Sequence, residues 1–361
     1  MMGVLCGLVV GVGIAMVLGT VLSLSHHPHW AVRVWDFPRY HIAAVAALCG
    51  VVYAVFFSAW YWYDWLFVAS LGACVIWQGA YILPYSPMVP VRVKRAESAH
   101  PEASFRLVIT NVLMQNDQYE RLMDVVQAAD PDVILAAEVD EGWFNHLQAL
   151  QRTHPYVVSQ PQDNMYGMAM FSRLKLIAPE VRFIVQDDIP SIHTEIELRN
   201  GTRIVFHGLH PRPPEPLRDQ NAVPRDAELV LVGNDIRKDN RPVVVAGDLN
   251  DVAWSHTTNL FLRISRLLDP RMGRGMYSTF HASYPFFRFP LDHVFHSNHF
   301  TLIDLHRLDF VGSDHFPVCI TLSHTPEAAP EQPEPEQKPG QREEAKEKIE
   351  LAEEEEGCLE G

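Results

Sequence analysis

Three stretches without a charged residue occupy most of the first 83 residues and restrict what this part of the chain can fold into. They cover residues 3–24, 42–57 and 65–83. Because an α-helix rises about 1.5 Å per residue, roughly 20 residues cross the ~30 Å hydrocarbon core of a bilayer. The first and third stretches reach that length and the second is marginal. We therefore predict a three-helix transmembrane anchor over residues 1–83.

Aromatic residues and two alternatives bear on this anchor. Aromatic side chains cluster around the second loop, as at a membrane interface: Tyr53, Trp60, Tyr61, Trp62, Tyr63 and Trp65. A cleaved signal peptide is the alternative for the first stretch, but the stretch lacks a basic leading region and a clear cleavage site. Buried core helices are the other alternative, which three such stretches in succession disfavour.

Basic residues set the expected orientation. With three spans, the loop after the first span lies on the same side as the segment that leaves the third. These two regions hold Arg33, Arg39, Arg92, Lys94 and Arg95, whereas the N-terminus and residues 58–64 hold no Lys or Arg. Five basic residues on one side and none on the other favour a cytoplasmic location for the part of the chain that follows the anchor, because basic residues are enriched on the cytoplasmic side. A signal peptide would reverse this orientation.

The composition divides the rest of the chain. Residues 84–103 hold four prolines and are predicted to be a linker. Residues 326–361 hold 13 acidic and four basic residues, which is −9 of the net charge of −15 and leaves −6 for the rest. Such a segment buries little apolar surface, so we predict an acidic disordered tail with nascent helix near 342–356. The five cysteines show no paired spacing, so neither a disulfide framework nor a zinc site is indicated.

Between residues 104 and 325, short apolar runs end in polar residues. Such runs are typical of buried strands, and polar groups at strand ends converge where loops gather around a site. The polar residues are Asn111, Glu138, His210, Asp248, Asn250, Asp292, Asp314 and His315. Carboxylate, amide and imidazole groups hold a hard divalent cation and move protons beside it. Apolar periodicity also predicts helices near 117–129 and 225–238, which together with the strands indicates an α/β domain.

The order of the motifs resembles the endonuclease/exonuclease/phosphatase superfamily, which has the deoxyribonuclease-I-like fold. The motifs are Asn111, Glu138, His210-Pro211, Gly247-Asp248-Leu249-Asn250, Leu291-Asp292-His293 and Ser313-Asp314-His315. The resemblance covers about residues 104–323. It implies a four-layer α-β-β-α sandwich, in which helices flank two facing mixed sheets, preceded here by the three transmembrane helices. The anchor and residues 271–292 look most like bacterial membrane-anchored members.

The resemblance also implies a role for each site residue. Glu138 would bind the metal, most simply Mg²⁺ with Mn²⁺ as the alternative, and Asp314 and Asn111 would lie beside it. An exposed turn acid is the alternative for Glu138, and a plain turn residue is the alternative for Asn111. Asp248 would align the attacking water.

Six further residues would contact or support the phosphate. Asn250, predicted to share a face with Asp248, would donate to a phosphate oxygen, although an Asx turn is the alternative. His210 and His315 would stabilise the phosphoryl group, with Asp292 orienting His315. Arg212 and Arg173 are weaker candidates for phosphate binding, and a solvated arginine at a strand end is the favoured alternative for Arg173.

These residues predict a membrane-anchored, magnesium-dependent hydrolase of phosphate esters, of the phosphodiesterase, endonuclease or phosphatase type. The absence of a Ser or Cys placed beside a base indicates direct attack by water. The substrate would be nucleic acid or a phospholipid headgroup, and the acidic composition disfavours tight duplex binding. The location would be a bacterial inner membrane, and no obligate protein partner is evident. The alternative is a catalytically silent membrane scaffold that recruits a partner through its acidic tail.

Overall fold

The computed structural model describes residues 2–97, 100–214 and 221–356. Its first part contains the helices α1 (Met2–Leu24), α2 (Trp30–Arg33), α3 (Arg39–Phe56) and α4 (Trp62–Ile82). Among the described residues, three helices are long and apolar enough to cross a membrane: Met2–Leu24, Arg39–Phe56 and Trp62–Tyr85. The three apolar helices expected from the sequence are therefore present.

The domain that follows contains two β-sheets. Its strands are β1 (Ser104–Asn111), β2 (Val133–Ala137), β3 (Tyr156–Gln160), β4 (Met168–Ser172), β5 (Lys175–Phe183), β6 (Pro190–Glu197), β7 (Arg203–Gly208), β8 (Val243–Asp248), β9 (Asp292–His296), β10 (Phe300–Arg307) and β11 (Val318–His324). One sheet has the order β10-β11-β1-β2-β4-β3 and the other β5-β6-β7-β8-β9. β1 runs parallel to β2, and β7 to β8, while the other pairs are antiparallel. Both sheets are therefore mixed, as predicted.

The two sheets face each other across the main core. Leu107 and Leu135 of the first sheet lie in the same buried cluster as Phe206 and Val244 of the second. Helices α5 (Tyr119–Ala129) and α6 (Glu141–Leu147) cover the outer face of the first sheet, and α7 (Val223–Arg237) and α8 (His256–Ser265) cover that of the second. This confirms the four-layer sandwich.

Local sequence explains the first of these helices. Leu122 and Val126, one helical turn apart, are the buried residues of α5. The helix ends at Asp130, whose left-handed backbone conformation precedes Pro131. Helices α5 and α7 thus match the two predicted from apolar periodicity, each to within two residues at either end.

The predicted linker packs against the domain. Val93 is fully buried in the main core, and Arg95 forms a β-bridge with Leu302. The backbone N–H of Lys94 donates to Gln332 Oε1 at 2.8 Å. This part of residues 84–103 therefore belongs to the domain, because the apolar Val93 finds a place beside strand β10.

The acidic tail contains the helix expected near 342–356, but this helix packs on the domain and is not part of a free, disordered segment. Residues 341–356 form helix α9 (Gln341–Glu356), which packs on α7. Ala345, Ile349 and Ala352 lie at helical spacing, and the two alanines are buried against the domain. Lys348 adds an ion pair to Asp226 at 2.7 Å. These few apolar residues explain why the helix packs on the domain. The acidic average composition of the segment does not reveal them.

Candidate active site

Strand ends from both sheets bring the predicted polar residues together. Asn111 ends β1, and Glu138 follows the neighbouring parallel strand β2. On the facing sheet, Asp248 ends β8 and is the register partner of Asp292, the first residue of β9. His315 lies just before β11, and its ring reaches the same point. The site is thus built where the two sheets approach each other at one edge.

Asn111 connects the two sheets through its side-chain amide. Its Nδ2 donates to Glu138 Oε1 at 2.8 Å and to Asp248 Oδ2 at 3.1 Å. Its Oδ1 accepts from the backbone N–H of Leu113 at 3.0 Å, which fixes the orientation of the amide. An amide that donates to two buried carboxylates lowers the cost of holding both negative charges close together.

Asp248 lies at the centre of the cluster. Its Oδ2 is 3.5 Å from His315 Nε2 and 3.9 Å from His210 Nε2. Burial raises the pKa of Asp248 to about 7, with the Asp292 carboxylate adding to the rise and His315 opposing it. A carboxylate with a raised pKa is a better proton acceptor than a solvated one.

The two imidazoles have opposite electrostatic surroundings. His315 Nδ1 is 2.8 Å from Asp292 Oδ2. Burial alone lowers the pKa of His315, but Asp292 and Asp248 outweigh it and raise the pKa to about 10. Burial and nearby His315 lower the pKa of His210 to about 3. At neutral pH the site therefore holds one cationic and one neutral imidazole.

Glu138 is the second carboxylate that the Asn111 amide binds. Glu138 Oε2 accepts from the backbone N–H of Met114 at 3.3 Å, and its backbone has a positive φ of 61°. Burial raises the pKa of Glu138, and Asp314 contributes to the rise, which places the two carboxylates within electrostatic reach. Asp314 itself is partly exposed.

The donor set suits a hard divalent cation. Among the described residues, Asp248, Asp292 and His315 have ligand atoms within 4.8 Å of one another. Glu138 adds a further carboxylate, which the Asn111 amide links to Asp248. Buried carboxylates whose pKa values are raised by burial and by one another are stabilised by a positive ion.

Glycine brings the His210 and Asp248 strand ends together. Gly247 has φ 141°, and a Cβ atom there would lie 2.0 Å from the Leu209 carbonyl oxygen. Any side chain would therefore push apart the ends of β7 and β8. The pairing of β7 with β8 therefore explains why a glycine stands at this position.

Asn250 differs from its predicted placement. β8 ends at Asp248, and Asn250 has φ 51°, so the two residues do not alternate along one strand. Its backbone N–H donates to Asp248 Oδ1 at 2.9 Å, which is the Asx turn considered as the alternative. Its side-chain Nδ2 donates to the Pro211 carbonyl at 3.0 Å. The Asn250 side-chain amide therefore fixes the loop that follows His210, and its second N–H can donate to another acceptor.

Of the two arginines considered for phosphate binding, only Arg212 lies near the site. Arg212 pairs with Asp188 and lies 5.2 Å from the ring centroid of Tyr166, whose ring packs beside His210. Arg173 pairs with Asp130 at 2.6 Å. Because β4 runs antiparallel to β2, Arg173 follows β4 at the end of the sheet opposite Glu138. The structure therefore does not place Arg173 with the site.

Buried residues that sequence reasoning passed over support the site from behind. Arg225 Nη1 donates to the Asn250 carbonyl at 2.8 Å. Arg271 donates to the Asp292 carbonyl at 3.3 Å and to His293 Nδ1 at 2.7 Å. Arg225 stands in a segment with no motif. Arg271 begins the segment 271–292, but the sequence assigns it no role, so only the three-dimensional arrangement shows these contacts.

Comparison with known proteins agrees with this geometry. The profile of the Endonuclease/Exonuclease/phosphatase family matches residues 110–315, which is more than half of the chain. That interval contains each of the site residues described above. No curated protein matches the chain.

Solved structures with the same fold are distant in sequence. A functionally unknown conserved protein from Enterococcus faecalis V583 is 14% identical with a TM-score of 0.51, covering 61% of this chain and 99% of its own. The human Nocturnin catalytic domain with bound sulfate anion is 17% identical with a TM-score of 0.50, and the match covers 62% of this chain and 96% of the Nocturnin chain. D. rerio TDP2, complexed with single strand DNA product, is 14% identical with a TM-score of 0.50, covering 61% and 99%. At these identities the likeness establishes the fold.

Proposed function

Because the chain belongs to the endonuclease/exonuclease/phosphatase family, we propose that it is a membrane-anchored, divalent-metal-dependent hydrolase of phosphate esters. The observation that carries the proposal is the buried cluster in which Asn111 joins Glu138 to Asp248 and Asp292 holds His315. A scaffold has no physical need for such a cluster, and α9 packs on its own domain, which counts against a tail that recruits a partner.

The cation would be Mg²⁺ or Mn²⁺, held by Glu138 with Asp314 and Asn111 nearby, because a protonated His315 cannot also be a metal ligand. When bound, the ion supplies Lewis-acid polarisation of a phosphate oxygen. The pairing of Glu138 with the Asn111 amide keeps its carboxylate oriented for this role.

The chain's own groups would divide the remaining work. Asp248, with its raised pKa, would align the attacking water and accept its proton. His315, kept protonated by Asp292, would donate from Nε2 to a phosphoryl oxygen as negative charge develops there. His210 would donate as a neutral imidazole, with Arg212 beside it near the ring of Tyr166.

Three helices of membrane-spanning length support the anchor. The loop after the first span contacts the domain through Arg33, and the segment after the third span contacts it through Tyr85. A chain that crosses the membrane three times has these two regions on the same side, so the contacts are consistent with three crossings. The count of basic residues supports a cytoplasmic domain beneath a bacterial inner membrane.

The test uses the full chain in detergent, with bis(p-nitrophenyl) phosphate as a general diester and p-nitrophenyl phosphate as a monoester. We expect hydrolysis with Mg²⁺ or Mn²⁺, none in excess chelator, and a loss of at least about 10²-fold in Glu138→Ala. The matched control is Glu141→Ala, which removes an exposed acid three residues away and should leave the rate unchanged. Full activity in excess chelator would show that the proposal is wrong.

A further inference from the structure

We propose that residues 280–289, here called the aromatic loop, contact the membrane surface beside the active site, and that the phosphate ester hydrolysed is part of a membrane lipid. This inference rests on the proposed hydrolase function and on the proposed anchor. It extends them by assigning the substrate class and the surface that presents the substrate.

The aromatic loop exposes large apolar side chains. Phe286, Phe287 and Tyr284 are 81%, 60% and 59% exposed. The loop is nevertheless ordered by its own hydrogen bonds, from Phe287 N to the Tyr284 carbonyl at 3.0 Å and from Arg288 Nη2 to the Ala282 carbonyl at 2.9 Å. Adjacent exposed aromatics on an ordered loop are costly in water and are typical of a surface that meets an apolar partner.

The start of the second span identifies that partner as the bilayer. Tyr40 and His41 are the second and third residues of α3, the helix predicted to enter the membrane. Tyr40 donates through its hydroxyl to the Arg288 carbonyl at 3.0 Å, and the His41 ring stacks on Phe287 at 5.2 Å between centroids. The aromatic loop is therefore held at the level where α3 enters the membrane, where aromatic side chains are favoured.

The other side of the same loop touches the active site. The Ala282 N–H donates to the Asp314 carbonyl at 2.6 Å. The Phe280 ring lies 5.0 Å from the His315 ring, and the two residues share a β-bridge. A few residues thus separate the side chains that face the bilayer from those that line the catalytic cluster. A phosphate in a lipid headgroup would lie within reach of His315 while its acyl chains stay in the membrane.

Net charge favours a lipid over nucleic acid. The chain carries −15 at neutral pH, which repels a polyanion such as DNA or RNA. A single headgroup phosphate needs only the local charge of the cation, His315 and Arg212. Apolar contact between the aromatic loop and the bilayer would add to the binding energy of a lipid substrate.

The first experiment uses the full chain reconstituted with Mg²⁺ in mixed vesicles of phosphatidylethanolamine, phosphatidylglycerol, phosphatidylcholine and sphingomyelin. Loss of lipid phosphodiester is followed by phosphorus NMR, with bis(p-nitrophenyl) phosphate and a single-stranded oligonucleotide as water-soluble probes. We expect the wild type to cleave at least one of the lipids. The double variant Phe286→Ser/Phe287→Ser should cleave it about tenfold more slowly or worse, while its rate on the soluble diester stays within about twofold of wild type.

The matched control is Phe183→Ser, an exposed phenylalanine at the end of β5, which should change neither rate. Cleavage of the soluble diester or the oligonucleotide without cleavage of any lipid would overturn the inference and leave the proposed function standing. Lipid cleavage by the double variant at the wild-type rate would also overturn it. Failure of the wild type on every probe would contradict the proposed function itself.

A second experiment does not depend on activity. A spin label on Phe286→Cys in the reconstituted protein should collide more with oxygen, which partitions into the bilayer, than with a water-soluble nickel chelate. The same label on Phe183→Cys should show the opposite preference, with the unsubstituted protein as the background. Equal preference for the chelate at both positions would show that the aromatic loop does not meet the membrane.

Discussion

His315 makes different contacts through its two ring nitrogens. Nδ1 faces Asp292 at 2.8 Å, so it carries a proton, and Nε2 faces Asp248 at 3.5 Å and the space where a phosphate would bind. Asp292 is therefore a positioning residue, which acts on the reaction through the imidazole.

This arrangement predicts how the two residues behave when changed together. We expect His315→Ala and Asp292→Asn each to lower kcat and kcat/KM in parallel by about 10²- to 10³-fold, because the lost interaction is made mainly in the transition state. The double variant should be little worse than His315→Ala alone. Steady-state kinetics on the three variants decide this.

The control for these three variants is Asp304→Asn. Asp304 forms an exposed pair with His306 at 2.7 Å, so its substitution should leave turnover unchanged. Effects of His315→Ala and Asp292→Asn that multiply independently would contradict the assigned pairing.

Glu228 is a buried acid outside the site. Among the described side chains its Oε1 finds no hydrogen-bond partner, and burial raises its pKa to about 8. In the unfolded chain this carboxyl ionises near its ordinary pKa of about 4.3, so between that pH and about 8 the folded state binds more protons. Stability contributed by the neutral acid is therefore lost as pH rises through this window.

We expect Glu228→Gln to unfold at about the same temperature as wild type at pH 5 and at a higher temperature at pH 8. Each kcal/mol corresponds to roughly 2–4 °C in Tm for a domain of this size. Thermal unfolding at the two pH values measures the difference, and Glu141→Gln, at an exposed position, is the control. A gap between Glu228→Gln and wild type that does not widen with pH would contradict the assignment.

Sequence motifs predicted which residues meet at the site because strand ends determine their meeting point. Asn111, Asp248 and Asp292 each end or begin a strand, and pairing alone brings them together. Asn250 was misplaced for the converse reason, and Arg173 takes the strand-end position that was its favoured alternative. The conformation of a turn and the direction of a strand depend on neighbours that a single run of residues does not specify.

At the scale of elements, the short helix α2 joins the anchor to the catalytic domain. Arg33 at its end is buried, donates to Thr257 Oγ1 at 2.8 Å and lies 3.4 Å from Asp251 Oδ2. Asp251 follows Asn250 directly and is also 3.3 Å from Arg225. The anchor therefore contributes a cation to the network beneath the turn that carries Asp248.

Loss of this cation should destabilise the domain. Removing one partner of a buried ion pair typically costs about 3–5 kcal/mol, and Arg225 and Lys348 compensate part of it here. We expect Arg33→Met to lower the free energy of unfolding by roughly 2–3 kcal/mol in a denaturant titration of the full chain in detergent.

Arg203→Met is the matched control, because its pair with Glu197 is exposed and should be worth less than about 1 kcal/mol. Equal midpoints for Arg33→Met and wild type would show that the anchor does not support the domain.

The elements that the sequence predicted well have apolar patterns that repeat over several turns or strands. α5 and the three long apolar helices of the first 85 residues belong to this class. The docking of α9 and of Val93 depends on single small residues meeting a matching surface elsewhere in the chain. The average composition of a segment does not reveal such single residues. The tail and the linker were therefore predicted not to pack against the domain.

At the scale of the whole molecule, three spans should make the protein integral to the membrane. We expect it to remain in the membrane fraction under alkaline carbonate extraction. A C-terminal fusion to a reporter active only in the cytoplasm should give signal, because the basic residues of the first loop and of the exit segment lie on the domain's side.

The paired control is the same fusion to a reporter active only after export, which should stay silent. Signal from the exported reporter would reverse the orientation. Recovery of the intact chain in the soluble fraction would rule out the anchor.

The burial of Arg33 in the catalytic domain also constrains how the protein is made. Arg33 and its partner Asp251 are 218 residues apart in the chain. At translation rates of roughly 5–20 residues per second, Arg33 leaves the ribosome about 10–45 s before Asp251. Spans that insert as they are synthesised would be in place during that interval, and we expect the domain to complete its folding against them. Newly made protein should therefore mature at the membrane surface and not in solution before insertion.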